Sequence, residues 1–306
     1  MVEKTPLLDF FTYAFLIIGI FIVGFPIIYS LIAATLPLED VSRVPMPFIP
    51  GDQFLVNMKE AWTRGDLGTQ IFNSFVMASG ITVGKIAISM IGAFSIVYFD
   101  YRFRAAAFAS VFCTLMLPVE VRIMPTYEVA ANLLGPLQPV WDFLHMDGLI
   151  SWFAGHDMEV ILNWSLLDSY TGLILPLVAS ATCTFLFRQF FLTVPEELCE
   201  AAKMDGASPM MFFRKVLFPL SKTNIAALVV IEFVYGYNQY LWPLLVTTNP
   251  KMTTAVIGLQ NLIPQADDLP EWNIALGAAV LVMLPPILVV LFMQRWFVKG
   301  LIEKEK

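Results

Sequence analysis

The sequence predicts an all-α, polytopic membrane protein with six spanning helices. Three observations carry this expectation. Of 306 residues, 58% are hydrophobic and only 14% charged, about half the charged share of an ordinary soluble domain, and the mean hydropathy is +0.73. The apolar residues gather in long runs nearly free of charge. Lys and Arg are spread unevenly between the two sets of connections that those runs define. The same composition excludes disorder, collagen, a coiled coil and a disulfide-rich secreted scaffold. A net charge of −7 argues against nucleic acid as a partner.

A spanning helix needs about 20 predominantly apolar residues, because each adds about 1.5 Å and the hydrocarbon core is about 30 Å thick. Phe10 to Leu38 carries no charge. It is far longer than a signal-peptide core and reads as a retained helix with its N-terminus inside. Leu67 to Phe99 carries only Lys85. Ala105 to Val119 is clean but short, so the third helix is expected to continue past Glu120 and Arg122. Ser169 to Phe187 is clean, Thr223 to Pro250 carries only Glu232, and Trp272 to Gln294 is clean. Pro285 and Pro286 should kink this last helix through a missing N–H and a ring clash. Together these make one transmembrane domain over residues 1–306.

With the N-terminus inside, the inner connections and tails hold Lys4, Arg102, Arg104, Arg188, Lys203, Arg214, Lys215, Lys222, Arg295, Lys299, Lys304 and Lys306. The outer ones hold only Arg43, Lys59, Arg64, Arg122 and Lys251. That bias places both termini in the cytoplasm. Cys113 and Cys183 fall in apolar helices and Cys199 in an inner connection, so no disulfide is expected. His145 and His156 lie in an outer loop without clustered ligands and read as loop polar residues. The methionines read as packing.

The inner connection after the fourth span has organisation of its own. Thr193 can serve as an N-cap, with Pro195, Glu196 and Glu197 in the first turn. Leu198, Ala201, Ala202 and Met204 then form an apolar face. Gly206 permits a sharp exit, and Ser208-Pro209 starts a second helix with Met211, Phe212, Val216 and Leu217 on its apolar stripe. By periodicity alone, an amphipathic connector in the headgroup region is an equal alternative.

Glu200-Ala201-Ala202, Gly206 and Val216-Leu217-Phe218-Pro219 stand at the spacing of the EAA signature. The chain thereby resembles permease subunits of binding-protein-dependent ABC (ATP-binding cassette) importers. Val216 and Phe218 replace the usual Ile and Leu. The likeness extends over nearly the whole chain and is strongest to the second permease subunits of sn-glycerol-3-phosphate uptake systems, within the maltose-type carbohydrate group. It is carried by Thr114 to Leu133, Leu167 to Phe191, Tyr235 to Leu245 and Gln294 to Leu301. Residues 135–165, with Trp141, Trp152 and Trp164, depart from the family pattern as an extra outer-face segment. Surface-resting helices are favoured there over a contact with a solute-binding protein.

The resemblance implies a type I importer permease fold in the bacterial inner membrane. It implies a coupling loop over residues 193–220, in which Glu200, Ala201, Ala202, Asp205, Gly206 and Pro219 meet a separate ATPase. The expected partners are a homologous second permease, an ATPase dimer carrying ATP and Mg, an extracytoplasmic substrate-binding protein and membrane lipid. No Walker A sequence occurs in this chain, and no catalytic residue, metal or cofactor is expected in it. The implied cargo is sn-glycerol-3-phosphate or a related glycerophosphodiester, with a neutral sugar or polyol as the alternative.

Charges within spans are costly and face protein or water. Lys85 is a candidate site for an anionic substrate. A Lys85–Glu232 ion pair is one arrangement that their depths allow, while separate partners or snorkelling are favoured. Tyr235, Tyr237, Asn238, Tyr240 and Trp242 suit a polyol pathway, and equally an outer aromatic belt. Glu120 and Arg122 read as structural pairing at the outer mouth before a gate. An ion-coupled secondary transporter is the rival from another class, and it would need more intramembrane carboxylates than Glu232.

Overall fold

The computed structural model describes residues 6–117, 119–154, 161–263 and 270–302. Among the described residues there are helices, turns and loops but no strand. Three helices are long and apolar enough to cross a membrane unbroken, namely Leu7–Ala33, Leu67–Tyr98 and Trp272–Arg295. Two bent helix pairs pass the same test of length and apolarity when each is taken as one span, Tyr170–Leu177 with Ala181–Phe191 at 50° and Pro209–Leu220 with Lys222–Tyr237 at 71°.

The expected third span is the poorest match. Arg104–Cys113 is followed by a 3-10 turn, Thr114–Met116, and the chain resumes as a helix only at Val119–Ala131. Pro118 stands at the interruption, and the residue before a proline is driven out of the helical region; Leu117 accordingly has ψ 118. The fifth span, expected to reach Pro250, stops at Tyr237, and a separate helix follows at Leu241–Val246. The last helix runs without interruption over Trp272–Ile302, through both prolines.

The chain divides into two compact units. The first comprises Met1–Ile71 and Ala255–Leu284. Its opening helix, Pro6–Ala33, exposes nearly all its large apolar side chains from Leu7 to Leu31, as a helix bathed in lipid does. The turn just past its C-terminus is held by Asn57, whose buried amide donates to Ala34 O and Leu36 O, both at 2.9 Å. Asn273 in turn donates to Asn57 Oδ1 at 2.9 Å. Arg64 donates to Glu60 at 2.7 Å and also pairs with Glu271.

The second unit comprises Phe72–Thr254 and Pro285–Lys306. Its central helix is the greater part of Leu67–Tyr98. Gly80 and Gly84, one helical turn apart, let the Tyr170–Leu177 segment lie close. A Cβ at either would come within 2.5 Å of Ile174 or Val178, the close approach that small residues four apart provide in membranes. Nearer the inner connection, Met90, Phe94, Phe187, Phe191, Phe212, Leu217 and Leu228 form one buried cluster.

Broken spans leave backbone groups that lipid cannot satisfy, and serines supply the partners. Ser180 caps Ala181–Phe191 by accepting from Cys183 N, and its carbonyl accepts from Ser89 Oγ at 3.2 Å. At the 71° bend, Leu217 O accepts from both the Ser221 N–H at 2.9 Å and the Ser221 hydroxyl at 2.7 Å. The excursion after Ala131 is fastened at its base. Leu133 N donates to Trp164 O and Leu166 N to Ala130 O, each at 2.9 Å. Asn132 Nδ2 reaches Leu162 O at 3.0 Å. Between these points run Gly135–Leu137, Gln138–Phe143 and Met146–Ala154, with Phe143, Trp152 and Phe153 exposed.

Candidate functional site

The connection after Ala181–Phe191 folds as two short helices joined at Gly206. The first is Glu196–Met204, with Glu196 and Glu197 at its N-terminus and Lys203 near its end, each placed favourably along the helix dipole. Its N-cap is Pro195, and Thr193 does not cap it. The Thr193 hydroxyl donates instead to Phe190 O at 2.7 Å. Thr193 lies beside the orphan carbonyls ending Ala181–Phe191 and too far upstream to reach the amides after Glu196.

The exit is a Schellman turn. Gly206 has φ +72, its N–H donates to Lys203 O at 3.0 Å, and Ala207 N–H donates to Ala202 O at 2.9 Å. Ser208 then caps the next helix by accepting from Met211 N at 3.3 Å. That helix passes through a π-helical turn, Phe213–Leu217, into Phe218–Leu220, where Pro219 lacks the N–H that would continue the ladder. The 71° bend into Lys222–Tyr237 follows.

Glu200, Ala201, Asp205 and Gly206 are exposed. Ala202 is half-buried and packs with Cys199 against the Phe94–Phe212 cluster. The two alanines therefore divide the work, Ala202 seating the helix on its own bundle and Ala201 facing outward. Sequence reasoning assigned the methionines to packing, yet Met204 is 90% exposed and Met210 and Met211 are exposed beside the same turn. Their position flanking Gly206 was the available signal, since thioethers are adaptable contact groups as well as packing ones.

Deeper in the same unit, Lys85 and Glu232 pair, contrary to the expectation of separate partners. Lys85 Nζ lies 2.7 Å from Glu232 Oε2, and both residues are buried. Cys183 Sγ donates to Glu232 Oε1 at 2.9 Å, and the ammonium sits 3.9 Å from the Tyr235 ring centroid. Two charges at this depth are tolerable only when paired and hydrogen-bonded. The three contacts bind Leu67–Tyr98, Ala181–Phe191 and Lys222–Tyr237 together.

The other pathway candidates scatter. Tyr237 is wholly buried and stacked on Phe233. Trp242 is buried, with its indole N–H donating to Gly172 O at 3.1 Å. Both belong to the packed interior of the bundle rather than to a wet path, because an aromatic ring flanking a helix end fills core as readily as it lines a channel. Tyr235 and Asn238 are exposed and Tyr240 is half-buried. Arg122 is exposed. Glu120 belongs to the Val119–Ala131 helix, but its side chain lies outside the described residues, as does His156. No group of three metal-ligating side chains occurs among the described residues.

A polar latch between distant segments was not anticipated. Asn73 donates to Lys251 O at 2.8 Å and Thr253 O at 2.9 Å, and accepts from Tyr170 OH at 2.6 Å. Asp168 accepts from Thr248 N–H, Thr248 OH and Asn249 N–H at 2.6–2.8 Å. The Thr248 hydroxyl foremost, then the Asn249 amide, hold the Asp168 carboxyl below its usual range.

A family model described as the binding-protein-dependent transport system inner membrane component matches residues 85–303. The sn-glycerol-3-phosphate transport system permease protein UgpE of Pectobacterium atrosepticum is 48% identical over 312 residues, covering 100% of both chains. UgpE of Agrobacterium fabrum is 47% identical over 313 residues, again covering 100% of each. Among solved structures, a chain of a bacterial ABC transporter involved in the import of the acidic polysaccharide alginate shares the fold. Its TM-score is 0.74 at 17% identity, with 97% of this chain and 99% of that chain covered.

Proposed function

The chain belongs to the family of inner-membrane components of binding-protein-dependent transport systems, and from that premise we propose that it is one of two homologous permeases in a type I ABC importer for sn-glycerol-3-phosphate or a related glycerophosphodiester. Six crossings, with both termini in the cytoplasm, are the topology that this reading uses. The partners are a second permease, two copies of an ATPase chain that bind ATP and Mg, and an extracytoplasmic substrate-binding protein.

The observation that carries the reading is the exposed helix and Schellman turn at Glu200–Gly206, continuous through Pro209–Leu220 with the helix that holds Glu232. An ATPase that closes around nucleotide grips this projection through Glu200, Ala201 and Asp205. Ala202 and the Phe94–Phe212 cluster beneath it pass the displacement to the bundle. The bundle then rocks between inward and outward access. The identity to UgpE over full length supports the cargo.

One observation favours a neutral sugar or polyol as the second reading. Lys85, the buried cation that an anionic cargo would use, is already neutralised by Glu232. The same pair occupies the carboxylate that an ion-coupled carrier would need. The test is ATP hydrolysis by the reconstituted assembly with its binding protein, screened across glycerophosphates and neutral polyols. Stimulation by sn-glycerol-3-phosphate alone supports the first cargo, and stimulation by polyols alone supports the second. Uptake driven by a proton gradient without an ATPase refutes both.

A further inference from the structure

A groove of about 470 Å³ runs along the second unit between the Leu67–Tyr98 helix and the bent Pro209–Tyr237 pair. Its walls include Val83, Ile86, Met90, Phe218, Ile225 and Val229. The two hydroxyls in it are Ser79 and Thr82, and that of Thr82 is already bonded to Ala78 O at 2.7 Å. Such walls give a polyol or a phosphate ester almost nothing to bond, whereas a hydrocarbon chain needs only apolar contact. Val83, Ile91 and Phe218 are 69%, 55% and 48% exposed, so the groove opens outward.

Its length matches one leaflet. From Ser79 to Ile91 the helix advances about 18 Å, against about 15 Å for half the hydrocarbon core. Its charge is also directional. Arg214 and Lys215 lie in the π-helical turn that leads into the lining residue Phe218, and Lys222 stands one α-helical turn before Ile225. All three are exposed, and none makes an ion pair among the described residues. The nearest acids in sequence are Asp205, which precedes the Gly206 turn, and Glu232, which is buried and paired with Lys85.

We infer that this groove holds one acyl chain of an anionic glycerophospholipid, whose headgroup is bound by Arg214, Lys215 and Lys222. The inner-leaflet assignment rests on the transport reading, which puts this end in the cytoplasm. Basic side chains at a membrane surface attract anionic headgroups, each by roughly fivefold. A lipid so placed lies directly against the bend that joins the coupling turn to the Glu232 helix.

The test is native mass spectrometry of the complete assembly, exchanged into detergent with equal amounts of dipalmitoyl phosphatidylglycerol and phosphatidylcholine. Phosphatidylglycerol should be retained in excess. Lys222→Gln should lower that excess about fivefold, and Val83→Trp should abolish retention of both lipids. Equal retention of the two lipids by the wild-type assembly overturns the inference, as does unchanged retention in Val83→Trp. Should Val83→Trp fail to assemble, Val83→Cys carrying a bimane label reports instead. Quenching by brominated-chain phosphatidylglycerol supports the site, and absence of quenching overturns it. Cross-linking of Val83→Cys to the second permease would make the groove a subunit interface and overturn it too. An assembly that transports on ATP without preferring phosphatidylglycerol refutes only the lipid site. Lipid retention by a chain that never joins an ATPase refutes only the transport reading.

Discussion

Removing one member of the Lys85–Glu232 pair should damage the bundle more than removing both. At 2.7 Å and an effective dielectric of about 20, the gross attraction is about 6 kcal/mol, most of it offset by the cost of taking two ions out of water. A single deletion leaves the other charge buried and uncompensated, which costs about 3–5 kcal/mol. Glu232→Gln also weakens the acceptor for the Cys183 thiol, and Lys85→Met takes the cation from the Tyr235 ring. The double variant Lys85→Met/Glu232→Met replaces the pair by apolar volume and should recover most of the loss. The assay is the temperature of half-loss of the monodisperse assembly in fluorescence-detected gel filtration. Both single variants should fall by several degrees and the double variant by clearly less. Refutation would be a Lys85→Met assembly as heat-resistant as wild type, or a double variant whose loss equals the sum of the singles. Transport by the stabilised double variant also addresses cargo, because retained glycerophosphate uptake removes Lys85 from the substrate path.

Gly206→Val should uncouple ATP hydrolysis from uptake, since φ +72 costs a residue with a Cβ about 1–2 kcal/mol. Gly206→Asn should be milder because Asn tolerates that region and the space around Gly206 is open; the ratio of solute moved to ATP hydrolysed reads the difference. The Asp168 carboxyl titrates below its free value of 3.8, so its latch on Thr248 and Asn249 is fully present above that pH and is lost as pH falls through the lower folded value. Hydrogen exchange at the Thr248 and Asn249 amides, compared between pH 5 and pH 3, should show this acid opening, and Asp168→Asn should flatten it. Trp242→Phe leaves the buried Gly172 carbonyl without its donor and should cost about 1–3 kcal/mol of stability while leaving the KM for solute unchanged. A raised KM with unchanged stability would return Trp242 to the substrate path.

The parts of this fold legible in sequence are those fixed by local chemistry. Gly206 and Ser208 each do what their residue types require within three or four positions, and Leu67–Tyr98 and Trp272–Ile302 follow from uninterrupted apolar length. The failures occur where the deciding partner is remote. Lys85 meets a residue 147 positions away and Asn73 meets Lys251 178 positions away, and no periodicity reports such pairings. Tyr237 and Trp242 could not be separated from Tyr235 by residue type, because burial, rather than chemistry, distinguishes them. The interruption at Thr114–Met116 was hidden by apolar residues on both sides, with Pro118 the one local cue. Thr193 was misassigned because a hydroxyl between two helices can serve either, and proximity to Phe190 O decides.

The knot of backbone hydrogen bonds joining Leu133 to Trp164 and Ala130 to Leu166 makes the excursion between them a cul-de-sac: the chain departs and returns through the same doorway. Those bonds hold the near side in register by themselves, so a change in length beyond the doorway should disturb it least. This is where an epitope tag or a grafted module should be absorbed most readily.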